Sequence, residues 1–186
     1  MRRSTIFWTF AFLLLASSGC SYQRTYVQQD LIHARTRSVA VLPLVNLTAY
    51  PYAGRIVSEI LSTELYHVAH FALMDRSHMM EALQGEDQDV GEVVDRKSAQ
   101  SLGRLLGVDT VVYGSVTEYR YKRGLDEDPV VGINVRLLDV ATGRVLWADS
   151  RTRTGGCFWL CEDSLNRVAQ QLCHEMVQDM AGGSLR

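Results

Sequence analysis

The sequence predicts an α/β (α+β) fold: a single, three-layer-like domain whose mixed sheet contains an antiparallel meander and is covered by helices, in the order β-α-β-α-α-β-β-β-α. Three observations predict it. A continuous apolar run gives way to apolar residues at three- and four-residue spacing, the change from a buried strand to an amphipathic helix. Three strand-like stretches then follow one another with only turn-like sequence between them, which favours antiparallel neighbours. A second helical stripe closes the chain, and a sheet covered by helices is the layered solution for that order. The length of 186 residues fits one domain with additions. Hydrophobic residues at 47% and charged residues at 22% are ordinary for a globular chain, which can fold without a disulfide scaffold or metal.

Each element has its own signal. Ser38 to Asn46 (SVAVLPLVN) reads as a buried strand whose far end is released by Pro43, which cannot donate to a ladder. TAYPYAG follows as a turn. Ala53, Ile56, Val57, Ile60, Leu61, Leu65 and Val68 line one helical face of about four turns. Phe71 to Asp75 is a short strand, and Ser77 or Asp75 can cap a short helix over His78 to Leu83. Gln84 to Val94 is an acidic loop with two glycines, and Asp95 to Leu106 is a helix stopped at Gly107. Asp109 to Lys122 is a strand, Arg123 to Pro129 (RGLDEDP) a turn, and Val130 to Val140 the next strand. Thr142-Gly143 marks a hairpin into Arg144 to Ser150. Glu162 or Asp163 can cap the final helix, whose buried stripe is Leu165, Val168, Ala169, Leu172, Met176, Val177 and Met180.

The first nineteen residues stand apart. Arg2 and Arg3 precede an apolar stretch from Ile6 to Ala16, too short to span a bilayer, so residues 1–19 read as a signal peptide. Ser17, Ser18 and Gly19 run directly into Cys20, an arrangement that resembles the bacterial lipobox, although Ser17 stands where Leu is usual. That resemblance implies lipidation of Cys20, and Ser21 beside it resembles the signal for sorting to the outer membrane. Residues 20–37 then read as the lipidated cysteine and a short polar tether, and residues 38–182 as a periplasmic α/β domain. A tether of that length averages about 20–25 Å as a flexible coil, so the domain is expected to sit close to its membrane.

Charge and motifs exclude several classes. The net charge of -2 is not that of a basic nucleic-acid binder, and cleavage before Cys20 removes Arg2 and Arg3 and no acid. No phosphate-binding Gly-rich loop, G-x-S-x-G elbow or H-E-x-x-H pair is present. The chain is expected to be non-enzymatic and to carry no cofactor. His67, His70, Asp75 and His78 match no recognised metal-ligand spacing and read as a solvated helix end. Cys173 falls on the edge of the final helical stripe and reads as a core residue. In an oxidising compartment Cys157 and Cys161 can close a small disulfide loop. Reduced thiols, or a zinc site with Cys173 and His174, are the other readings of these cysteines.

Two surface features call for an explanation. The segment CFWLC places Phe158, Trp159 and Leu160 on a loop between a strand and a helix. Folded inward they would be core. With a lipid anchor nearby, contact with the membrane is the reading preferred here, since Trp suits the headgroup level. The turn with Asp126, Glu127 and Asp128 is a solvated tip in a monomer. In a cyclic oligomer it recurs in every subunit, and a concave ring of carboxylates focuses a negative field that attracts a cationic polymer.

The stretch Tyr119 to Trp147 (YRYKRGLDEDPVVGINVRLLDVATGRVLW) resembles the PelC lipoproteins of exopolysaccharide export. The shared features are Y-x-Y-K, the acidic turn ending at Pro129, Val131-Gly132 and L-L-D-x-x-T-G-x-V-L-W, with the lipobox, the L-P-L-x-N of Leu42 to Asn46 and the final helix in order. The wider group, which includes CsgG and LpoB, has a similar α/β domain. The resemblance implies a homo-oligomeric ring of about a dozen subunits, lipid-anchored to the periplasmic face of the outer membrane. Its acids at Asp126, Glu127 and Asp128 would guide a cationic amino-sugar exopolysaccharide towards an outer-membrane export barrel. Trp159 corresponds to an aromatic that would face the membrane, here between two inserted cysteines. The alternative implied by the wider group is a binding module that regulates or assembles an envelope enzyme or secretion channel. No pair of spare strands long enough for a self-made pore is present.

Overall fold

Hydrophobic alternation in the last three strands builds the centre of the molecule. The computed structural model describes residues 23–69, 71–83, 95–122, 128–156 and 163–182. Its strands are β1 (Gln23–Val27), β2 (Ser38–Val41), β3 (Val45–Asn46), β4 (Ala72–Leu73), β5 (Thr110–Lys122), β6 (Asp128–Asp139) and β7 (Val145–Thr154). Its helices are α1 (Gln29–Arg35), α2 (Ala53–Val68), α3 (Arg76–Ala82), α4 (Arg96–Leu105) and α5 (Leu165–Met180). The sheet has seven strands in the order β1-β7-β6-β5-β2-β4, with β3 also pairing β5. β5, β6, β7 and β1 are each antiparallel to the next, whereas β2, β3 and β4 run parallel to their neighbours. This is the expected mixed α/β sheet with its meander.

Successive β5 residues feed opposite faces, as strand geometry requires. Val112 and Val116 join one cluster with Leu61 and Leu65 of α2 and Leu172 and Met176 of α5. Val111 and Tyr113 join another with Met79 of α3 and Ala99 and Leu102 of α4. Helices thus cover both faces, and the domain has three layers. Cys173 is buried in the first cluster, as its place on the stripe implied.

Pro43 splits the apolar run into β2 and β3, both on β5. The break leaves the Leu44 N–H without a ladder partner, and it donates instead to Ser58 Oγ at 2.9 Å. That hydroxyl donates on to the Gly54 carbonyl at 2.7 Å. Gly54 is required here: a Cβ would stand 1.9 Å from the Leu44 carbonyl oxygen. α4 stops at Gly107, whose φ of +67° suits a residue without a Cβ.

Three expectations are corrected. The stretch read as a tether carries β1 and α1. β1 has almost no buried side chains, so the sequence shows no apolar alternation, and its backbone ladder to β7 holds it. The final helix is capped by Ser164, whose Oγ accepts from the Arg167 N–H at 3.2 Å, and not by Asp163; Glu162 lies outside the described residues. Asp128 is not in the turn: it is the first residue of β6, opposite Lys122. Of the two candidates for the short helix, Asp75 is the cap, accepting from the Ser77 N–H at 2.8 Å.

Candidate functional site

The candidate site is the far end of the β5–β6 hairpin, where the local sequence brings three segments together. The β5–β6 register shifts between Val116 and Glu118, where β5 leaves the body of the sheet. Beyond it, Lys122 and Asp128 face each other across the hairpin. The Gly155 N–H donates to the Pro129 carbonyl at 2.8 Å, and the Gly156 N–H donates to Asp163 Oδ2 at 3.2 Å. The residues that flank segments 123–127 and 157–162 therefore meet at one pole.

Asp128 is half-buried at this pole. Asp126 and Glu127 lie outside the described residues, as do Cys20, Cys157, Phe158, Trp159, Leu160 and Cys161. The described charges here are mixed. Glu118 pairs with Arg120 at 3.0 Å, Asp163 with Arg167 at 3.4 Å, and Glu175 with Arg153 at 2.5 Å. Exposed pairs like these add little stability and largely cancel at a distance.

A tyrosine cluster flanks the pole. Tyr119 is buried, its ring meets that of Tyr50 edge-on at 5.0 Å, and its hydroxyl donates to Asn166 Oδ1. Burial pushes its pKa up to about 12, so it stays neutral. Tyr52 precedes α2 with φ of 62° and is 67% exposed, with the Arg55 guanidinium 4.8 Å from its ring centre. Left-handed backbone is unusual for a bulky residue. A groove of about 490 Å³ runs between Leu47–Pro51 and residues 117–121. Sequence reasoning passed over this cluster because TAYPYAG carries turn residues; the alternation of Tyr119 and Tyr121 was the available signal.

At the opposite edge, a buried charge network ties β1 to the body. Arg151 Nε donates to both Asp149 oxygens at 2.9 and 3.0 Å, and Arg151 also pairs with Asp179 of α5. Thr25 of β1 donates to Asp149 Oδ2 at 3.1 Å, and Gln23 to Asp179 at 3.2 Å. His174 Nδ1 meets Glu64 Oε2 at 2.8 Å between α5 and α2. Among the described residues no group of three or more His, Cys, Asp or Glu side chains is placed to hold a metal ion. Among them, too, no helix is long and apolar enough to cross a membrane.

The model of a family described as peptidoglycan-synthase activator LpoB matches residues 21–152. Among solved structures, a PelC dodecamer from Paraburkholderia phytofirmans is similar, at 27% identity and a TM-score of 0.63, covering 87% of this chain and 98% of that one. A variant of that dodecamer matches at 25% identity and a TM-score of 0.63, over 87% of this chain and 99% of the other. The lipoprotein GNA1162 from Neisseria meningitidis shares the fold, at 21% identity and a TM-score of 0.57, over 81% and 99% of the two chains. No curated protein sequence matches this chain.

Proposed function

Because the chain belongs to the LpoB family, we propose that it is a non-enzymatic lipoprotein of the cell envelope that works as a ring at the outer membrane. The ring guides a cationic exopolysaccharide towards an export barrel. The observation that carries this reading is the start of β1. Gln23 is already paired in the sheet, three residues after Cys20. With Cys20 lipidated, so short a connection spans at most about 11 Å. The folded body is then held against the lipid surface and cannot reach across the periplasm.

The ring is supported by the likeness to a dodecamer over almost the whole of that chain. The hairpin pole supplies the guiding group. Asp126, Glu127 and Asp128, repeated in each copy, would line the opening, and a concave array focuses their field more than isolated tips do. Phe158, Trp159 and Leu160 spring from the same pole and would supply membrane contact. On either side of them, Cys157 and Cys161 would be joined as a disulfide.

The test is the molar mass of the purified lipidated protein in detergent, by light scattering coupled to size exclusion. About a dozen protomers is expected. A monomer or dimer removes the focusing argument and overturns the ring. That outcome favours the second reading, supported by the family description: a module that binds and regulates an envelope synthase.

A further inference from the structure

Four of the eight exposed large apolar side chains among the described residues, Leu47, Tyr50, Tyr52 and Tyr121, gather at one end of the sheet. β3 runs parallel to β5, and the Leu47 N–H donates to the Val116 carbonyl at 3.0 Å. The 47–52 turn therefore continues past Val116 alongside the far end of β5. Leu47, Tyr50 and Tyr121 line the groove there, and Tyr52 follows Pro51. The turn is tied to itself. Asn46 Nδ2 donates to the Tyr50 carbonyl at 2.9 Å, Asn46 Oδ1 accepts from the Thr48 N–H at 3.0 Å, and Thr48 Oγ1 accepts from the Tyr50 N–H at 3.1 Å. Tyr52 holds its left-handed backbone while its ring is 67% exposed, so burial within the chain does not offset the strain. Single exposed apolar residues need no explanation, but a pre-organised cluster of them marks a contact surface.

The start of β1 says what covers this surface. Gln23 is level with Arg151, which is level with Ile133 and so with Val116. β1 runs antiparallel to β7, whose last residue, Thr154, lies level with Val130 near the hairpin pole, so the chain enters the sheet from that pole. Tyr121 stands opposite Pro129, four residues along β6 from Ile133, or about 14 Å further towards the pole. The connection from Cys20 to Gln23 spans at most about 11 Å. A lipid on Cys20 therefore brings the membrane to the end of the sheet that carries the four exposed side chains.

We propose that Leu47, Tyr50, Tyr52 and Tyr121 rest in the headgroup layer of the membrane that holds the anchor. The proposal rests on the lipidation of Cys20 and adds a second point of contact. One anchor leaves the body free to turn about its tether, and a second contact fixes how it stands on the surface. The side-chain types suit that layer. Tyrosine joins an apolar ring to a wet hydroxyl and is enriched at the boundary between membrane and water. The Arg55 guanidinium, 4.8 Å from the Tyr52 ring centre, and exposed Lys122, next to Tyr121, bring cations to the level of lipid phosphates. Glu118, the acid on the groove wall, is paired with Arg120 at 3.0 Å, which lowers its repulsion from those phosphates.

The test places photoreactive p-benzoylphenylalanine at Tyr52, Tyr121 or Tyr66 in the lipidated protein, held in vesicles of phosphatidylcholine and phosphatidylglycerol. Tyr66 is the control: it is 68% exposed, as much as Tyr52, but lies at the other end of α2, about 21 Å away. Irradiation is expected to give peptides carrying a phospholipid mass from the Tyr52 and Tyr121 probes, severalfold more than from Tyr66. Protein that floats with the vesicles while Tyr52 and Tyr121 give no lipid adduct, or give adducts with a second copy or another macromolecule in its place, overturns the contact and leaves the anchor standing. Equal lipid labelling at Tyr66 overturns it too, because the body then has no fixed orientation. A mass spectrum that shows no lipid on Cys20 overturns the anchor and the contact together.

Discussion

Single side chains decide several features of this fold. Gly54 lets the first turn of α2 touch the backbone at Leu44, where Pro43 has interrupted the strand. Gly54→Ala should destabilise the protein by about 3 kcal/mol, because the clash is with backbone and cannot be relieved by a rotamer change. Urea unfolding checks this, and an unchanged midpoint would sink it. Asp95 caps α4, accepting from the Lys97 and Ser98 N–H groups at 2.7 and 3.0 Å. Hydrogen bonds from Ser98, backbone and side chain, and from the Lys97 backbone hold its carboxyl below the usual range. A lowered folded pKa contributes stability above the unfolded pKa and loses it as pH falls through the folded one. The stability gap between the parent and Asp95→Asn should therefore be constant at neutral pH and shift only under acid, as thermal melts across pH would show.

At the scale of elements, β1 is the part of the molecule whose place is least evident from its own residues. Its alignment with β7 is reinforced by Arg151, which pairs with Asp149 and Asp179 and donates to Thr25 at 3.0 Å. Arg151→Ala should cost about 3–5 kcal/mol, since it strands two carboxylates in a buried setting. Hydrogen exchange should then quicken first in Gln23–Val27. Uniform exchange across the sheet would mean that β1 is not an independently released element. The helices were more legible. α2 and α5 announce themselves by apolar residues at three- and four-residue spacing, because each buries one face against the sheet. β1 buries nothing comparable, so periodicity could not find it, and the polar run Ser21 to Arg37 read as a tether.

For the whole molecule, the reading concerns what repetition does to one pole. Neutralising the tip with Asp126→Asn, Glu127→Gln and Asp128→Asn should keep the assembled mass while reducing exopolysaccharide secretion severalfold. The companion change Trp159→Ala should weaken membrane seating while leaving the melt unchanged. Secretion at the parental level in the first case would count against the guiding ring. An unfolded Trp159 variant would mean that the loop belongs to the core.

The sequence alone determined the α/β class, the meander, the two long helices and the Pro43 break, because each is written in local periodicity or in a residue with restricted backbone chemistry. Asp126, Glu127, Phe158 and Trp159 could be picked out as types, since charge and aromatic clusters need no neighbours to be noticed. Only the tertiary structure decided that the residues flanking 123–127 and 157–162 meet at one pole, that Asp128 belongs to a strand, and that β5 runs on past its parallel neighbours. Those outcomes depend on register between strands and on contacts across long stretches of chain. A one-dimensional pattern carries neither, because a strand edge is open or covered according to what packs beside it and not according to its own residues.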